Sequence, residues 1–308
     1  MAAGLGNVTQ TLPGHMKGAA SAPRLCHMAG ALTAACSARA QVAAGAGSGS
    51  LMDVFQAMQA QMQGMAASDK PPMADVDVSD LTFHPAGTEE PLLRNISFRV
   101  PARKLGLIYG RSGAGKTTLL QLVAGLTTPT SGSISITETT GLGAKHSMTF
   151  PTDRLSRTGL VFQFPERHFL ASTLQQELVF GWPTDAASLQ VLSSRVAIAL
   201  PALGLSHIPL ETPLRQLSDG YKRRCALAVA LVRRPSVLLL DEPLAGLDWK
   251  SRADIAPVLG KLKEECTVIV VSHDLREIAS LVDMAWEMQP NGTLSPQKEG
   301  RLLQSTTA

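Results

Sequence analysis

The pattern of hydrophobic and polar positions changes near Met73, and from there it predicts strands that alternate with helices. Two runs of alternating or β-branched residues come first, VDVSDLTF and LLRNISFRV, and the turn-rich HPAGTEEP separates them. The run KLGLIYG then reads as a buried strand, which leads through a glycine-rich loop into a helix from Lys116 to about Ala124. Further strands are predicted at 133–136, 159–162, 237–241, 268–272 and 283–288.

This order of elements is typical of an α/β protein with a mixed central sheet. The antiparallel runs at the front predict a small β-subdomain beside that sheet, and residues 171–216 are expected to form a mostly helical insertion, or helical subdomain. Residues 139–157 are rich in turn formers and are expected to be a surface loop without chemistry. The folded domain is expected to span 73–298, followed by a tail at 299–308.

The N-terminal segment has a different composition. Its first 52 residues contain no Asp or Glu and are rich in Ala, Gly and Ser, which is typical of an organelle transit peptide. We interpret residues 1–50 as a cleaved leader, and the alternative is a disordered Ala/Gly tail that carries no address. Residues 51–72 are rich in Met and Gln and predict a linker with one short helix.

Composition and charge exclude several classes of function. The net charge is +3, of which residues 1–70 carry +2, so the folded part is close to neutral and is not expected to bind nucleic acid. The four cysteines show neither metal-ligand spacing nor a disulfide framework, which favours a reducing compartment. The longest apolar runs fall short of the roughly 18 residues that span a bilayer.

The glycine-rich loop GRSGAGKTT fits the pattern G-x-x-x-x-G-K-[ST] between a strand and a helix. Its glycines let backbone amides surround a phosphate, and the helix N-terminus adds a favourable dipole. Lys116 would neutralise the β- and γ-phosphates, and Thr117 would offer its hydroxyl to Mg²⁺. We therefore expect a nucleoside triphosphate to be bound by Gly110, Arg111, Ser112, Gly113, Ala114, Gly115, Lys116, Thr117 and Thr118.

Polar residues follow several of the later strands. In SVLLLDEP, Asp241 is expected to hold Mg²⁺ through water, and Glu242 to act as the general base for an attacking water. An acid pair after a strand is often a solvated turn, but its place after a phosphate loop favours the functional reading. Gln163 in GLVFQFP and His273 in VIVVSHD are each ambiguous alone, and their order along the chain favours function.

Together, GRSGAGKTT, VFQFPE, LSDGYKRRCALA, LLLDEPLAGLD and VVSHD resemble the ATPase subunit of ABC transporters over about residues 74–296. The stretch FQFPERHFL looks most like the ATPases of energy-coupling-factor importers, which drive vitamin and transition-metal uptake. With its leader, the chain resembles a plastid member of that group. The resemblance implies a peripheral membrane protein on the stromal side of a chloroplast membrane, with the mitochondrion as the alternative.

The resemblance also implies a head-to-tail dimer, with either a second copy or a related ATPase. ATP and Mg²⁺ would lie between the phosphate loop of one subunit and the signature LSDGY of the other. Ser218 and Gly220 would contact the γ-phosphate across the interface, and Asp248 would lie at the dimer seam. Gln163 would be a ligand of Mg²⁺ and would link the ion to the membrane partner. His273 would hold the γ-phosphate and the attacking water.

An integral membrane subunit is the further partner that the resemblance implies. Residues 164–170 and the insertion after them would form the groove that receives its coupling helix. The aromatic residues of this region have a second explanation, because they are also suited to the core. We expect at least one of Phe164, Phe169 and Trp182 to be a core residue.

Two positions depart from the family pattern. The signature usually reads LSGGQ, and here Asp219 replaces a glycine between Ser218, an expected N-cap, and Gly220. An acid in the first turn is favoured by about 0.3–1 kcal/mol, but facing a triphosphate it would be repelled by about 1 kcal/mol. We therefore expect Asp219 to point away from the nucleotide and to be neutralised by Lys222, Arg223 and Arg224.

The second departure concerns the adenine base. The family generally places an aromatic residue after the first strand, where this chain has Pro85. Stacking would then come from Phe83, from His84 or from neither. The expected result is weak discrimination between ATP and GTP, with less than about a hundredfold preference, or 2.7 kcal/mol.

Three functions remain open from the sequence alone. The leading hypothesis is an ATP-hydrolysing subunit of a membrane importer. A soluble ABC ATPase in cofactor assembly or nucleic-acid machinery is the second, and the near-neutral charge argues against it. A nucleotide-binding scaffold without hydrolysis is the third, and the presence of Lys116, Asp241, Glu242 and His273 argues against that.

Overall fold

A computed structural model of the protein describes residues 72–140, 143–273 and 277–297. The first sheet within these ranges is antiparallel and has the order β2-β1-β4-β5. The alternating burial of β1 fits a sheet with one face on a core. Its strands are β1 (Met73–Phe83), β2 (Leu93–Val100), β4 (Ser131–Thr139) and β5 (Lys145–Met148).

The second sheet has six strands among the described residues, in the order β10-β9-β3-β8-β7-β6, and is parallel except at β10. The strands β7 and β8 are buried throughout, as their continuous apolar sequences predict for parallel strands covered on both faces. The strands are β3 (Leu105–Gly110), β6 (Thr158–Val161), β7 (Val237–Asp241), β8 (Thr267–Ser272), β9 (Met284–Met288) and β10 (Leu294–Gln297).

Helices connect these strands and cover the parallel sheet. Several begin at a side-chain cap: Thr173, Asp185 and Asp248 each accept a hydrogen bond from an amide three residues on. None of the helices in the described ranges is long and apolar enough to cross a membrane. The α-helices are α1 (Lys116–Ala124), α2 (Pro151–Arg157), α3 (Leu174–Val179), α4 (Ala186–Ala202), α5 (Asp219–Val232) and α6 (Trp249–Glu265).

Two hydrophobic cores lie on the two faces of the parallel sheet. One contains α1 and the inner face of the antiparallel sheet, with residues such as Val76, Ile96 and Leu119. The other contains α3 to α6, with residues such as Leu192 and Leu259. The carboxyl ends of β3, β7 and β8 therefore meet at one edge of a fully packed sheet, where loops carry the polar residues.

The main architecture agrees with the sequence-based expectation. The α/β fold with a mixed central sheet, the antiparallel β-subdomain and the helical insertion are all present. Within that insertion α3 and α4 are helical, while residues 203–213 are irregular. The expectations for the leader at 1–50, the helix at 51–72 and the tail at 299–308 lie outside the described residues, apart from Pro72.

The prediction of a surface loop at 139–157 is wrong. This segment contains β5, which pairs with β4, and α2, which packs beside α1. Arg154 explains why the segment is ordered, because its buried guanidinium donates to the carbonyls of Leu122 (3.1 Å), Val123 (3.2 Å) and Ile134 (3.1 Å). The segment is held by a buried cation and not by an apolar stripe, so periodicity gave no signal.

Candidate active site

The phosphate loop lies at the carboxyl end of β3 and leads into α1. Gly115, the residue before the helix, has φ 95°, and a Cβ there would lie 2.6 Å from a side-chain carbon of Leu93, so only glycine fits. Lys116 is 7% exposed, and its Nζ donates to the carbonyls of Gly110 (2.9 Å) and Arg111 (2.9 Å). The loop thus holds an ammonium group beside the free amides of a helix N-terminus, which suits a phosphate.

The other expected loop residues line the same turn with different exposure. Arg111, Ser112 and Gly113 are exposed, and Ala114 is buried. Thr117 is exposed at the first turn of α1, and Thr118 beside it is half-buried.

Thr117 and Asp241 form a pair of oxygen ligands next to this loop. Thr117 Oγ1 donates to Asp241 Oδ2 at 2.8 Å, and Asp241 is 5% exposed. Burial raises the pKa of Asp241; the hydrogen bond from Thr117 and the charge of Lys116 oppose this rise, and the charge of Glu242 adds to it. A cation that supplies charge here would favour the ionised carboxylate.

These residues fit Mg²⁺ bound with a polyphosphate. A hydroxyl and a buried carboxylate are ligands that Mg²⁺ prefers, and it usually takes only one or two carboxylates along with phosphates and water. The described residues contain no group of three or more His, Cys, Asp or Glu that could hold a metal by itself. The donor set therefore suits a cation that arrives with the nucleotide.

Glu242 and His273 lie side by side, where β7 and β8 end. His273 Nδ1 is 2.8 Å from Glu242 Oε1, while Ser272 Oγ (3.1 Å) and the His273 amide (3.2 Å) donate to Oε2. Glu242 is 7% exposed, whereas the His273 side chain is 60% exposed. The sequence placed these residues in one site but did not predict that they contact each other.

The backbone of Glu242 is strained. Its φ is 48°, in the left-handed region that a non-glycine residue rarely adopts, at a cost on the order of 1–3 kcal/mol. Its amide donates to the carbonyl of Val271 (2.8 Å), which ties the turn to β8. Such strain is common at functional sites, and here it directs the carboxylate toward Ser272 and His273.

Arg223 has a place in this site that differs from its predicted role. It was expected to neutralise Asp219, but it is 3% exposed and donates to the main-chain carbonyls of Glu242 (2.6 Å), Gln163 (2.7 Å) and Ala245 (3.2 Å). Gln163 is half-buried, and its main-chain carbonyl is the group that contacts Arg223. The missed signal was helical spacing, since Gly220, Arg223, Leu227 and Ala230 form one buried stripe of α5.

The signature residues lie at the start of α5. Ser218 occupies the N-cap position but makes no capping hydrogen bond with its side chain, contrary to expectation, and it is exposed. Gly220 is buried, and a Cβ there would lie 2.9 Å from Ser251 Oγ. Ser251 in turn bonds to Asp248, whose exposed carboxylate caps α6. The signature therefore packs against the start of α6.

Asp219 is exposed, as expected, with 70% of its side chain accessible. Lys222 Nζ lies 2.9 Å from Asp219 Oδ1, so the acid is paired along its own helix. The expectation that Arg224 also neutralises it is wrong, because Arg224 pairs with Asp254 at 2.9 Å. Of the three expected cations, only Lys222 bonds directly to Asp219 in the described structure.

The two candidate rings for the base differ in exposure, because Phe83 is half-buried and His84 is exposed. Phe83 packs against the hydrophobic core beside the antiparallel sheet, and His84 Nε2 lies 2.7 Å from the carbonyl of Thr88. The weak preference between ATP and GTP therefore stays a prediction.

A groove opens beside Gln163, between β6 and the helices α3 and α5. A cavity of about 180 Å³ lies there, with His168, Phe169 and Glu177 in its wall. Trp182 is 5% exposed, which confirms that at least one of the three aromatic residues belongs to the core. Phe164 is 39% exposed, and the guanidinium of Arg167 lies 4.5 Å from its ring centre.

Comparisons with known proteins place this arrangement in a family. The sequence model of the ABC transporter family matches residues 93–245. ABC transporter I family member 11, chloroplastic, from Arabidopsis thaliana is 49% identical over 228 residues, covering 72% of this chain and 81% of that protein. The chain belongs to the ATP-binding subunits of ABC transporters. Its sequence and fold are therefore those of an ABC ATPase.

Two further comparisons describe this ABC ATPase more closely. The energy-coupling factor transporter ATP-binding protein EcfA2 from Clostridium acetobutylicum is 34% identical over 220 residues, covering 69% of this chain and 76% of that protein. The solved structure of cbiO1 from Clostridium perfringens, part of the ABC transporter complex cbiONQ, has a TM-score of 0.63 at 26% identity. That match covers 76% of this chain and 92% of cbiO1. The chain is an ATPase and the ATP-binding subunit of a transporter.

Proposed function

We propose that this ABC ATPase drives a membrane importer of the energy-coupling-factor type, whose substrate is a vitamin or a transition-metal ion. The observation that carries the proposal is the meeting of Lys116, Thr117–Asp241 and Glu242–His273 at one sheet edge, in a chain 34% identical to EcfA2. A membrane partner is supported by the cavity between β6 and the helices α3 and α5, and by the exposed ring of Phe164, the residue after Gln163.

Binding of ATP in this proposal begins at the phosphate loop. The ammonium of Lys116, now bonded to loop carbonyls, would exchange them for β- and γ-phosphate oxygens. Thr117 and Asp241 would hold Mg²⁺ together with Gln163, and the ion would neutralise charge on the transferring phosphate. Burial raises the pKa of Asp241, which disfavours the ionised carboxylate, and a neighbouring cation would oppose that effect.

Hydrolysis in this proposal uses Glu242 and His273. Glu242 would take a proton from the attacking water, and its contacts with Ser272 and His273 hold the carboxylate in one orientation. The exposed ring of His273 would contact the γ-phosphate and the water. Since Glu242 is buried at the end of β7, its base function depends on this fixed geometry.

The second half of each site would come from another subunit. The Ser218 hydroxyl is exposed and does not cap its own helix, so it is free to bond a phosphate of a facing subunit. Gly220 would let the backbone approach, and Asp248 would lie at the seam. The partner subunit is a second copy of this chain or a related ATPase.

The location that we propose is the stromal side of a chloroplast membrane, with the mitochondrion as the alternative. The acid-free N-terminal segment and the chloroplastic relative from Arabidopsis thaliana support it. In this proposal residues 1–50 are a transit peptide, 51–72 a linker and 73–298 the ATPase domain, which contains the helical subdomain at about 171–216.

Purification from organelle membranes tests the proposal. A tagged chain should be recovered with integral membrane proteins, and the complex in vesicles should take up one vitamin or metal ion only with ATP. The matched complex with Glu242→Gln should assemble but not transport. Recovery in the soluble fraction without an integral partner would contradict the importer, and ATP-driven export would contradict the energy-coupling-factor type.

A further inference from the structure

Arg223 is a buried cation, and its hydrogen bonds within the described ranges all go to main-chain carbonyls. Its guanidinium joins two loops. Nη1 donates to the carbonyl of Glu242 after β7, and Nη2 donates to the carbonyls of Gln163 after β6 and of Ala245. Burial lowers the pKa of Arg223, and the charges of Glu166, Asp219 and Glu242 oppose that effect.

Packing alone does not account for an arginine here. A methionine or leucine on the buried stripe of α5 would fill the space without the cost of removing a charge from water. The guanidinium instead gives charge-assisted hydrogen bonds in a fixed planar fork, which fixes the orientation of peptide groups and not only their distance. One of those peptide groups belongs to Glu242, whose backbone is already in the strained left-handed region.

The helix that carries Arg223 begins at the signature. Gly220 lies one turn before Arg223 on α5, and Ser218 occupies the N-cap position of the same helix. A helix of this length moves as one body, so a displacement of the signature reaches the guanidinium directly. The guanidinium in turn contacts the carbonyl groups of the residues that we assign to magnesium and to the attacking water.

We propose that Arg223 is a positioning residue that couples the signature at the start of α5 to Gln163 and Glu242 in the same subunit. The inference rests on the proposed function, in which that signature contacts the nucleotide of the facing subunit. Contact between the signature and the nucleotide of the facing subunit would then fix the orientation of the Glu242 carboxylate at the nucleotide of its own subunit. Arg223 would thus contribute to turnover and to cooperativity between the two sites, and little to the binding of ATP.

The test compares Arg223→Gln and Arg223→Lys with Arg195→Gln in the full chain. Arg195 is the control, because this half-buried arginine of α4 also donates to a main-chain carbonyl, that of Val232 (3.1 Å), at the end of α5 opposite to the signature. We expect Arg223→Gln to lower kcat for ATP at least tenfold and to reduce the Hill coefficient toward one, with KM within threefold. Arg223→Lys should have a kcat and a Hill coefficient between those of Arg223→Gln and of the chain without substitutions, since an ammonium keeps the charge but not the planar pair of donors.

Thermal unfolding of each variant separates positioning from simple stability. Arg195→Gln should lower Tm at least as much as Arg223→Lys but retain kcat within twofold. Equal losses of kcat in Arg195→Gln and Arg223→Gln would overturn the proposal and leave Arg223 a packing residue. If Arg223→Gln does not fold, Arg223→Lys decides: full kcat with an unchanged Hill coefficient overturns the proposal.

Glu242→Gln, measured in parallel, distinguishes a failure of the coupling role from a failure of the proposed site. If Glu242→Gln loses turnover while both Arg223 variants keep it, the coupling role is wrong and the proposed site stands. If Glu242→Gln keeps turnover, the assignment of the site itself is wrong, and the coupling to Glu242 is overturned with it.

Discussion

The Glu242 carboxylate is oriented by neighbours on the next strand. Ser272 and the His273 amide donate to it, and its own backbone is strained. We expect Glu242→Gln to lower kcat for ATP by about a hundredfold or more, since general bases contribute about 10²–10⁴-fold. ATP should remain bound and uncleaved, because the amide has nearly the same shape without the basic oxygen.

The measurement is steady-state phosphate release together with equilibrium binding of ATP. Glu264→Gln is the control, because Glu264 is exposed on α6 and should leave both quantities unchanged. Undiminished turnover in Glu242→Gln would remove Glu242 from the role of general base.

Asp219 has a different balance of forces, because its carboxylate is exposed and paired with Lys222. The pair and the helix dipole favour an acid at this position, each by a few tenths of a kcal/mol in water. We expect Asp219→Gly to change ATP turnover by less than about tenfold, which is 1.4 kcal/mol. A larger gain or loss in steady-state kcat would mean that the carboxylate faces the nucleotide of the other subunit.

Gly220→Ala provides the contrast at the neighbouring position. Its methyl group would meet Ser251 Oγ at 2.9 Å and would also lie where the backbone approaches the facing phosphate in our proposal. It should therefore reduce kcat more than Asp219→Gly does, and the reverse order would contradict this placement of the signature.

At the scale of elements, Asp283 joins three parts of the parallel sheet layer. It accepts from the Leu105 amide of β3 (2.8 Å), from Lys104 (3.0 Å) and from Lys263 of α6 (3.1 Å), just before β9 begins. Burial alone would raise the pKa of Asp283, but the hydrogen bonds from these groups outweigh it and lower the pKa. A lowered pKa means that the folded state favours the ionised carboxylate.

Asp283→Asn should therefore destabilise the protein in a pH-dependent way. The carboxylate contributes fully above the unfolded pKa of about 4, and its contribution is lost as pH falls through the lower folded pKa. We expect a loss of about 1–3 kcal/mol at pH 7, or a few degrees of Tm, that shrinks as the pH falls below the unfolded pKa. Thermal unfolding from pH 3 to 8 measures this, and a constant difference at every pH would contradict it.

The elements differ in how far the sequence foretold them. The strands β7 and β8 are continuous apolar runs, and the glycine loop lies between β3 and α1 as its pattern predicts, so local residues were enough to predict these elements. The strand β5 and helix α2 were missed, because Arg154 fixes them through carbonyls of α1 and β4 that are distant in sequence. Arg223 was misread for the same reason, since its acceptors lie about 20 and 60 residues away.

At the scale of the whole molecule, one chain holds only part of the proposed ATP site. Lys116, Thr117 and Asp241 form one side of it, and the exposed signature at Ser218 makes no hydrogen bond to that side in the described residues. Two chains arranged head to tail would give each nucleotide both sides. The folded part is also close to neutral, so charge repulsion does not oppose such a dimer.

We therefore expect ATP with Mg²⁺ to convert Glu242→Gln protein into a stable dimer, because bound ATP that is not cleaved keeps both interfaces closed. Light scattering after size exclusion measures this, and Lys116→Ala in the same background should stay monomeric because it loses the cation that neutralises the phosphates. For the chain without substitutions, kcat per subunit should rise with protein concentration until dimers dominate. A diluted monomer that hydrolyses ATP at the full rate would show that one chain carries a complete site, and Ser218 and Gly220 would then have no part in the reaction.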